Sequence, residues 1–100
     1  MPVQLNVGRV VAISLAASTT QTLPFNAAAI QWIVYLAGGQ TSTDFTLLTV
    51  IASGAPTAGE ALFTGTPAAP SNTFTLSAAP PAGSVAIVSA VPAGEIPAYP

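Results

Sequence analysis

The sequence predicts an all-β chain: a single-domain antiparallel β-sandwich, jelly-roll-like or Ig-like, of roughly seven to eight short strands. Three observations predict it. Apolar and polar residues alternate with a period of two through most of the chain. Val, Ile, Thr and aromatic residues dominate the apolar runs, and Gly and Pro interrupt them at strand-length intervals. The many alanines do not argue for helix, because the apolar spacing does not follow i, i+3, i+4. One hundred residues can enclose one core and not two. The expected division is a β-sandwich domain over residues 1–91 and a proline-rich C-terminal tail over residues 92–100.

The elements follow in order. Val3, Leu5, Val7, Val11, Ile13 and Leu15 share one parity. Residues 3–15 therefore read as one long strand or two collinear ones, with a bulge at Gly8-Arg9 where parity places Arg9 inward. Residues 19–25 form a Thr-rich strand ended by Pro24-Phe25-Asn26. Residues 30–36 (IQWIVYL) are apolar on both faces, which predicts a central strand covered on both sides. Gly38-Gly39 turns the chain into a strand over 43–52, with Phe45, Leu47 and Ile51 on one face.

A loop over 53–59, a short strand over 61–64 and a second loop over 65–71 follow. Residues 73–77 and 84–90 are expected to form a hairpin around Ala78-Ala79-Pro80-Pro81-Ala82-Gly83. There proline presets φ at about −65° and the following Gly supplies a positive φ. The tail, with Pro92, Pro97 and Pro100, cannot be a central strand. Parity and size assign the core to Leu5, Val7, Ile13, Trp32, Val34, Phe45, Leu47, Phe63, Phe74, Leu76, Val85 and Ile87.

Function is bounded most sharply by absences. Arg9, Asp44, Glu60 and Glu95 are the four formally charged side chains, and there is no Lys, His or Cys. Charged residues make up 4% of the chain, against about a quarter in an ordinary soluble domain. A serine nucleophile has no side-chain base to activate it. Three carboxylates, none in an Asp-x-Asp run, are too few and too scattered for calcium or for a paired-carboxylate hydrolase. Gly38-Gly39 has no Lys to make a phosphate loop. No catalytic, cofactor-binding or metal-binding residue is expected, and a single Arg leaves no footprint for nucleic acid.

A membrane span needs about 20 apolar residues. Residues 10–17 and 27–37 fall short of that, and the second stretch contains Gln31. Arg9 and the apolar residues after it imitate a secretory leader, but they alternate as a strand does. With a net charge of −2 and 51% hydrophobic residues, little repulsion keeps copies apart. Open sheet edges also lack the lysines that normally protect them. Either the sheet closes, or proline-rich segments and neighbouring subunits cover its edges.

The candidate interface residues are Val3, Leu5, Arg9, Trp32, Tyr35, Pro97 and Tyr99. Trp32 and Tyr35 have opposite parity in the strand expected to be covered on both sides, which makes both core. The functional alternative turns one of them outward, as a sugar-stacking platform or an interface anchor. Arg9 is either a solvated strand-end charge or the partner of Asp44 or a glutamate across an interface.

The length, the Ala/Thr/Val/Gly/Pro composition and the segment TFTLSAAPPAGSVAIVSA over residues 73–90 resemble the small β-rich virion proteins of tailed bacteriophages. Capsid decoration (cement) proteins are the nearest in style. The resemblance covers about a fifth of the chain and transfers no individual residue role. It implies a β-sandwich homo-oligomer, often a trimer, that binds the major capsid protein or another virion protein outside the shell and locks capsomers together. A tail, fibre or filament subunit shares the same style. An extracellular carbohydrate-binding or adhesin module is the alternative of a different kind, and exposure of Trp32 discriminates it.

Overall fold

The computed structural model describes residues 9–39 and 45–93. Six strands run in chain order: β1 (Arg9–Ser14), β2 (Thr20–Leu36), β3 (Thr46–Ile51), β4 (Glu60–Leu62), β5 (Ser71–Leu76) and β6 (Val85–Pro92). No helix occurs among the described residues, so the chain is all-β as the periodicity predicts. The layering is different from a sandwich of two sheets. All six strands belong to one sheet in the order β1-β6-β2-β3-β4-β5, and β5 also pairs with β2. That last pairing closes β2, β3, β4 and β5 into a small barrel, from which β6 and β1 extend.

Strand β2 makes this closure possible. Residues 19–25 and 30–36, expected as two strands, form one strand of 17 residues. Its first part pairs with β5 (Gln21 opposite Phe74) and its last part with β3 (Ile33 opposite Leu48). Between Thr22 and Ala27 five steps on β2 match only two on β5. Pro24, expected to end a strand, falls in this interruption, where no ladder bond is asked of it. Against β6, single extra residues intervene between Ala27 and Ala29 and between Ile30 and Trp32. Such bulges bend a strand and increase its twist, so a long strand can serve different neighbours along its length.

The expected hairpin between residues 73–77 and 84–90 does not form. Strand β5 pairs with β4 and β2, and β6 pairs with β1 and β2. The turn chemistry itself is as predicted, with Gly83 at φ 83 and the Ser84 N–H donating to the Pro81 carbonyl at 3.2 Å. Local chemistry fixes the turn but not the partners of the strands leaving it. Pro92 is likewise no part of a tail: it ends β6, buried and opposite Ala27.

The core lies on the inner face of the sheet and comprises Leu23, Ala27, Ile30, Ile33, Leu48, Ala61, Phe63, Phe74, Leu76, Ala86, Val88 and Ala90. Phe63, Phe74 and Leu76 were expected there. Val11, Ile13 and Leu15 pack half-buried against it, as their shared parity requires. Four of these positions are alanine, which lets neighbouring backbones approach closely in so small a barrel.

Neutral hydrogen bonds hold the loops. Gln21 is buried in β2 and clamps the β1–β2 connection. Its Oε1 accepts from the Ala16 N–H at 2.7 Å, and its Nε2 donates to the Ala16 and Ser18 carbonyls at 3.0 and 2.6 Å. At one end of the sheet the buried Ser84 hydroxyl accepts from the Gly38 N–H at 2.9 Å and donates to the Pro81 carbonyl at 2.6 Å. Its own carbonyl accepts from the Leu15 N–H at 2.9 Å. Gly38 lies so close to this loop that a Cβ would collide with the Ala82 carbonyl oxygen. Among the described residues every buried side-chain nitrogen and oxygen has a partner.

Replacing Gln21 by Leu keeps the bulk and removes three hydrogen bonds to the backbone of the exposed residues Ala16 and Ser18, each worth about 0.5–1.5 kcal/mol net. We expect Gln21→Leu to lower the unfolding free energy by about 2 kcal/mol or more, measured by urea unfolding. An unchanged midpoint would mean the clamp contributes nothing.

Candidate functional site

The side of the sheet opposite the core forms the most distinctive surface of the molecule. The ladder sets its rows. Ala12, Ile87, Val34 and Leu47 lie side by side across β1, β6, β2 and β3, because each is registered opposite the next. Ser14, Val85 and Leu36 form the adjacent row, and Val10, Ser89 and Trp32 the row on the other side. Phe45 joins Val34, Leu36, Val85 and Ile87 around a shallow groove of about 160 Å³.

This arrangement corrects the core assigned from sequence. Leu47, Phe45 and Val10 are 64%, 58% and 58% exposed, and Ile87, Val85 and Trp32 are 41%, 38% and 36% exposed. Val34 is half-buried on the same face. Ile33, Leu48, Ala86 and Val88, one position away in each strand, occupy the interior instead. The physical reason is that β2, β3 and β6 are apolar on both faces, so parity alone cannot say which face is inside. The bulge at Gln31 also shifts the phase: Ile30 and Ile33, three residues apart, both point inward. The strand over 30–36 is central in the sheet, yet only one of its faces is covered within the described chain.

Trp32 stands at the edge of this face beside a polar pair, since the Ser89 hydroxyl donates to Gln31 Oε1 at 2.7 Å. Tyr35 does not share the face. It is half-buried, packs on the core and lines an open cleft of about 240 Å³ with Thr46, Leu48, Glu60, Leu76 and Pro80. The Arg9 guanidinium sits over the Phe25 ring, 5.3 Å from its centroid, within cation–π range. Its strand position pairs with buried Ala90, the inward parity expected of it, although its side chain is exposed. Val3, Leu5, Pro97 and Tyr99, with Asp44 and Glu95, lie outside the described residues. The structure therefore places Trp32 and Tyr35 on different surfaces, and the larger set of Val10, Phe45, Leu47, Val85 and Ile87 was missed as surface. The signal was present in the sequence as runs apolar on both faces.

Glu60 closes the loop leading into β4. Its Oε1 accepts from the Thr57 backbone N–H and from the Thr57 hydroxyl, each at 2.9 Å. These bonds to the charged form, the backbone one foremost, hold its carboxyl below the usual range. Among the described residues no three His, Cys, Asp or Glu side chains come together as a metal site. In comparison with known proteins, the chain matches no protein-family model, no curated protein sequence and no solved structure.

Two tests follow from these surfaces. Truncating the inner face should be costly and truncating the outer face nearly free. Ile33→Ala should lose about 2–5 kcal/mol of stability, and Leu47→Ser less than about 0.5 kcal/mol, by chemical denaturation. Equal losses would invert the assignment of faces. For Glu60 the folded-state value is depressed, so its contribution is present above the unfolded carboxylate range and is lost as pH falls through the folded value. The stability difference between wild type and Glu60→Gln should therefore narrow as unfolding is measured at progressively lower pH. A difference that widens toward acid would contradict the Thr57 bonding.

Proposed function

We propose that this chain is a non-enzymatic structural protein of a viral particle, a capsid decoration or cement protein that binds the shell exterior and stabilises it. The observation that carries the reading is the uncharged apolar face spread over β1, β6, β2 and β3. Single exposed apolar residues are ordinary, and a contiguous apolar patch of on the order of 550 Å² lies at the upper end of what a monomer exposes, where such patches are often functional. Its partners on this reading are other virion proteins, the major capsid protein first, and copies of itself. Neither nucleic acid nor membrane is called for. A jelly-roll-like or Ig-like two-layer arrangement belongs to the same proposal, the second layer being supplied in the assembly. A phage tail, fibre or filament subunit would use the same face in the same way.

One observation favours a second reading. Trp32 is partly open beside the Gln31–Ser89 hydrogen bond, and an aromatic next to amide and hydroxyl groups can stack on a sugar. On that reading the chain is an extracellular carbohydrate-binding or adhesin module. Against it, the residues around Trp32 continue the apolar face rather than a polar groove.

Mass spectrometry of gradient-purified particles from the source of this chain tests the primary reading. The chain should appear at a fixed ratio to the main shell protein. It should also survive a wash in about 1 M salt, because apolar contacts are strengthened rather than screened. Absence from particles, with Trp32 fluorescence that responds to oligosaccharides and is lost in Trp32→Ala, would replace it with the second.

A further inference from the structure

We propose that the occupant of the outer face is a second copy of this chain, stacked sheet on sheet about a two-fold axis. In this arrangement Leu47 of each copy seats in the groove formed by Val34, Leu36, Phe45, Val85 and Ile87 of the other. The inference rests on the assembly reading above and deepens it by naming the partner.

Area is the first argument. A large apolar side chain presents about 150–250 Å² when fully exposed. At their fractional exposures Val10, Trp32, Phe45, Leu47, Val85 and Ile87 then offer on the order of 550 Å². Two such faces, with every one of these residues fully covered, bury at most on the order of 1,100 Å², which reaches the roughly 1,000 Å² that a specific interface needs. Stacked sheets pack about 10 Å apart with interdigitating side chains, and this face has the alternating relief for it.

Shape is the second. Leu47, the most exposed large apolar residue of the face at 64%, is a knob beside a groove of about 160 Å³. An apolar cavity of about 150 Å³ accommodates a benzene-sized group, so the groove has room for a leucine side chain. Leu47 is registered directly opposite Val34, a wall of that groove. Knob and groove are therefore neighbours on one surface, the self-complementary pattern that a two-fold axis requires. A three-fold ring would instead need two different patches to meet.

Charge is the third. Among the described residues no charged side chain lies on these rows, so the rows themselves bring no like charges together. The sequence supports the same conclusion: residues 30–36 are written for cover on both sides, and the described residues cover one.

Sedimentation equilibrium on the full chain, in roughly 0.1 M and 1 M salt, tests this with Leu47→Glu and with Asn72→Glu, an exposed change on β5 outside the face. Wild type and Asn72→Glu should be dimers at both salt concentrations. Leu47→Glu should dissociate at least about tenfold more readily while keeping its far-UV circular dichroism. A monomeric wild type, a trimer, or a Leu47→Glu dimer of wild-type affinity would each overturn the proposal. A monomer that is nonetheless retained in washed particles would overturn it while leaving the assembly role standing. If Leu47→Glu fails to fold, Leu47→Ser takes its place with the same expectations.

Discussion

The fold depends on one strand being bent. β2 pairs with β3, β5 and β6, and a straight strand could not reach β5 with its first residues and β3 with its last while keeping β6 alongside. Extra residues between Thr22 and Ala27, between Ala27 and Ala29 and between Ile30 and Trp32 supply the bend. At Ala27 the strand is flanked by Ser71 on β5 and Pro92 on β6. Ala27 is fully buried, and a larger side chain there would press into the core. Closing the barrel through β2 removes most of the open edges that a chain without lysine cannot protect. Among the described strands, β1 is left with one neighbour, β6.

A protein with so little charge must hold its loops by other means. Gln21 and Ser84 show how. Each is buried, each bonds backbone groups of a connecting segment, and each is fully satisfied. An amide that donates twice and accepts once does what a buried ion pair would do, without the desolvation of two charges. Such bonds are insensitive to salt and to pH over the range where neither group titrates. Glu60 is the charged group tied into a loop, and it too is held by neutral partners, the Thr57 N–H and hydroxyl.

How much of this was legible in the sequence divides by range of interaction. The all-β class, the strands found as β3, β4 and β5, and the Pro-Gly turn before Ser84 were readable because period, propensity and turn chemistry are local. Partners were not. The segments over 73–77 and 84–90 look like a hairpin, yet each pairs with β2, because the bend in β2 offers better neighbours than they offer each other. Pro24 read as a strand end, since nothing local reveals that a ladder interruption falls there. The inward set failed for Trp32, Phe45, Leu47, Val85 and Ile87 for a sharper reason. Parity identifies which residues share a face, and it did so correctly for Phe45 with Leu47 and for Val85 with Ile87. It names the buried face only when the other face is polar. Among the candidate interface residues, Trp32 was found on an exposed surface, whereas Tyr35 was drawn to the cleft by its packing on the core.

That failure is itself informative about the surface. A strand with one solvated face is free to place Thr, Gln or charged residues there, and β2 does so early on, with exposed Thr20 and Thr22 flanking buried Gln21. From Trp32 onward the same strand stops doing so, and β3 and β6 stop in the same rows. Apolar residues recurring at adjacent positions on three different strands cannot follow from the preference of any one strand, since β-propensity is satisfied equally by threonine. Nor does the monomer gain from them, because exposed side chains such as Leu47 contribute little to its folding. What the rows share is the face they occupy. A surface kept apolar across strand boundaries, at a cost in solubility, is what the proposed assembly explains and the fold of the single chain does not.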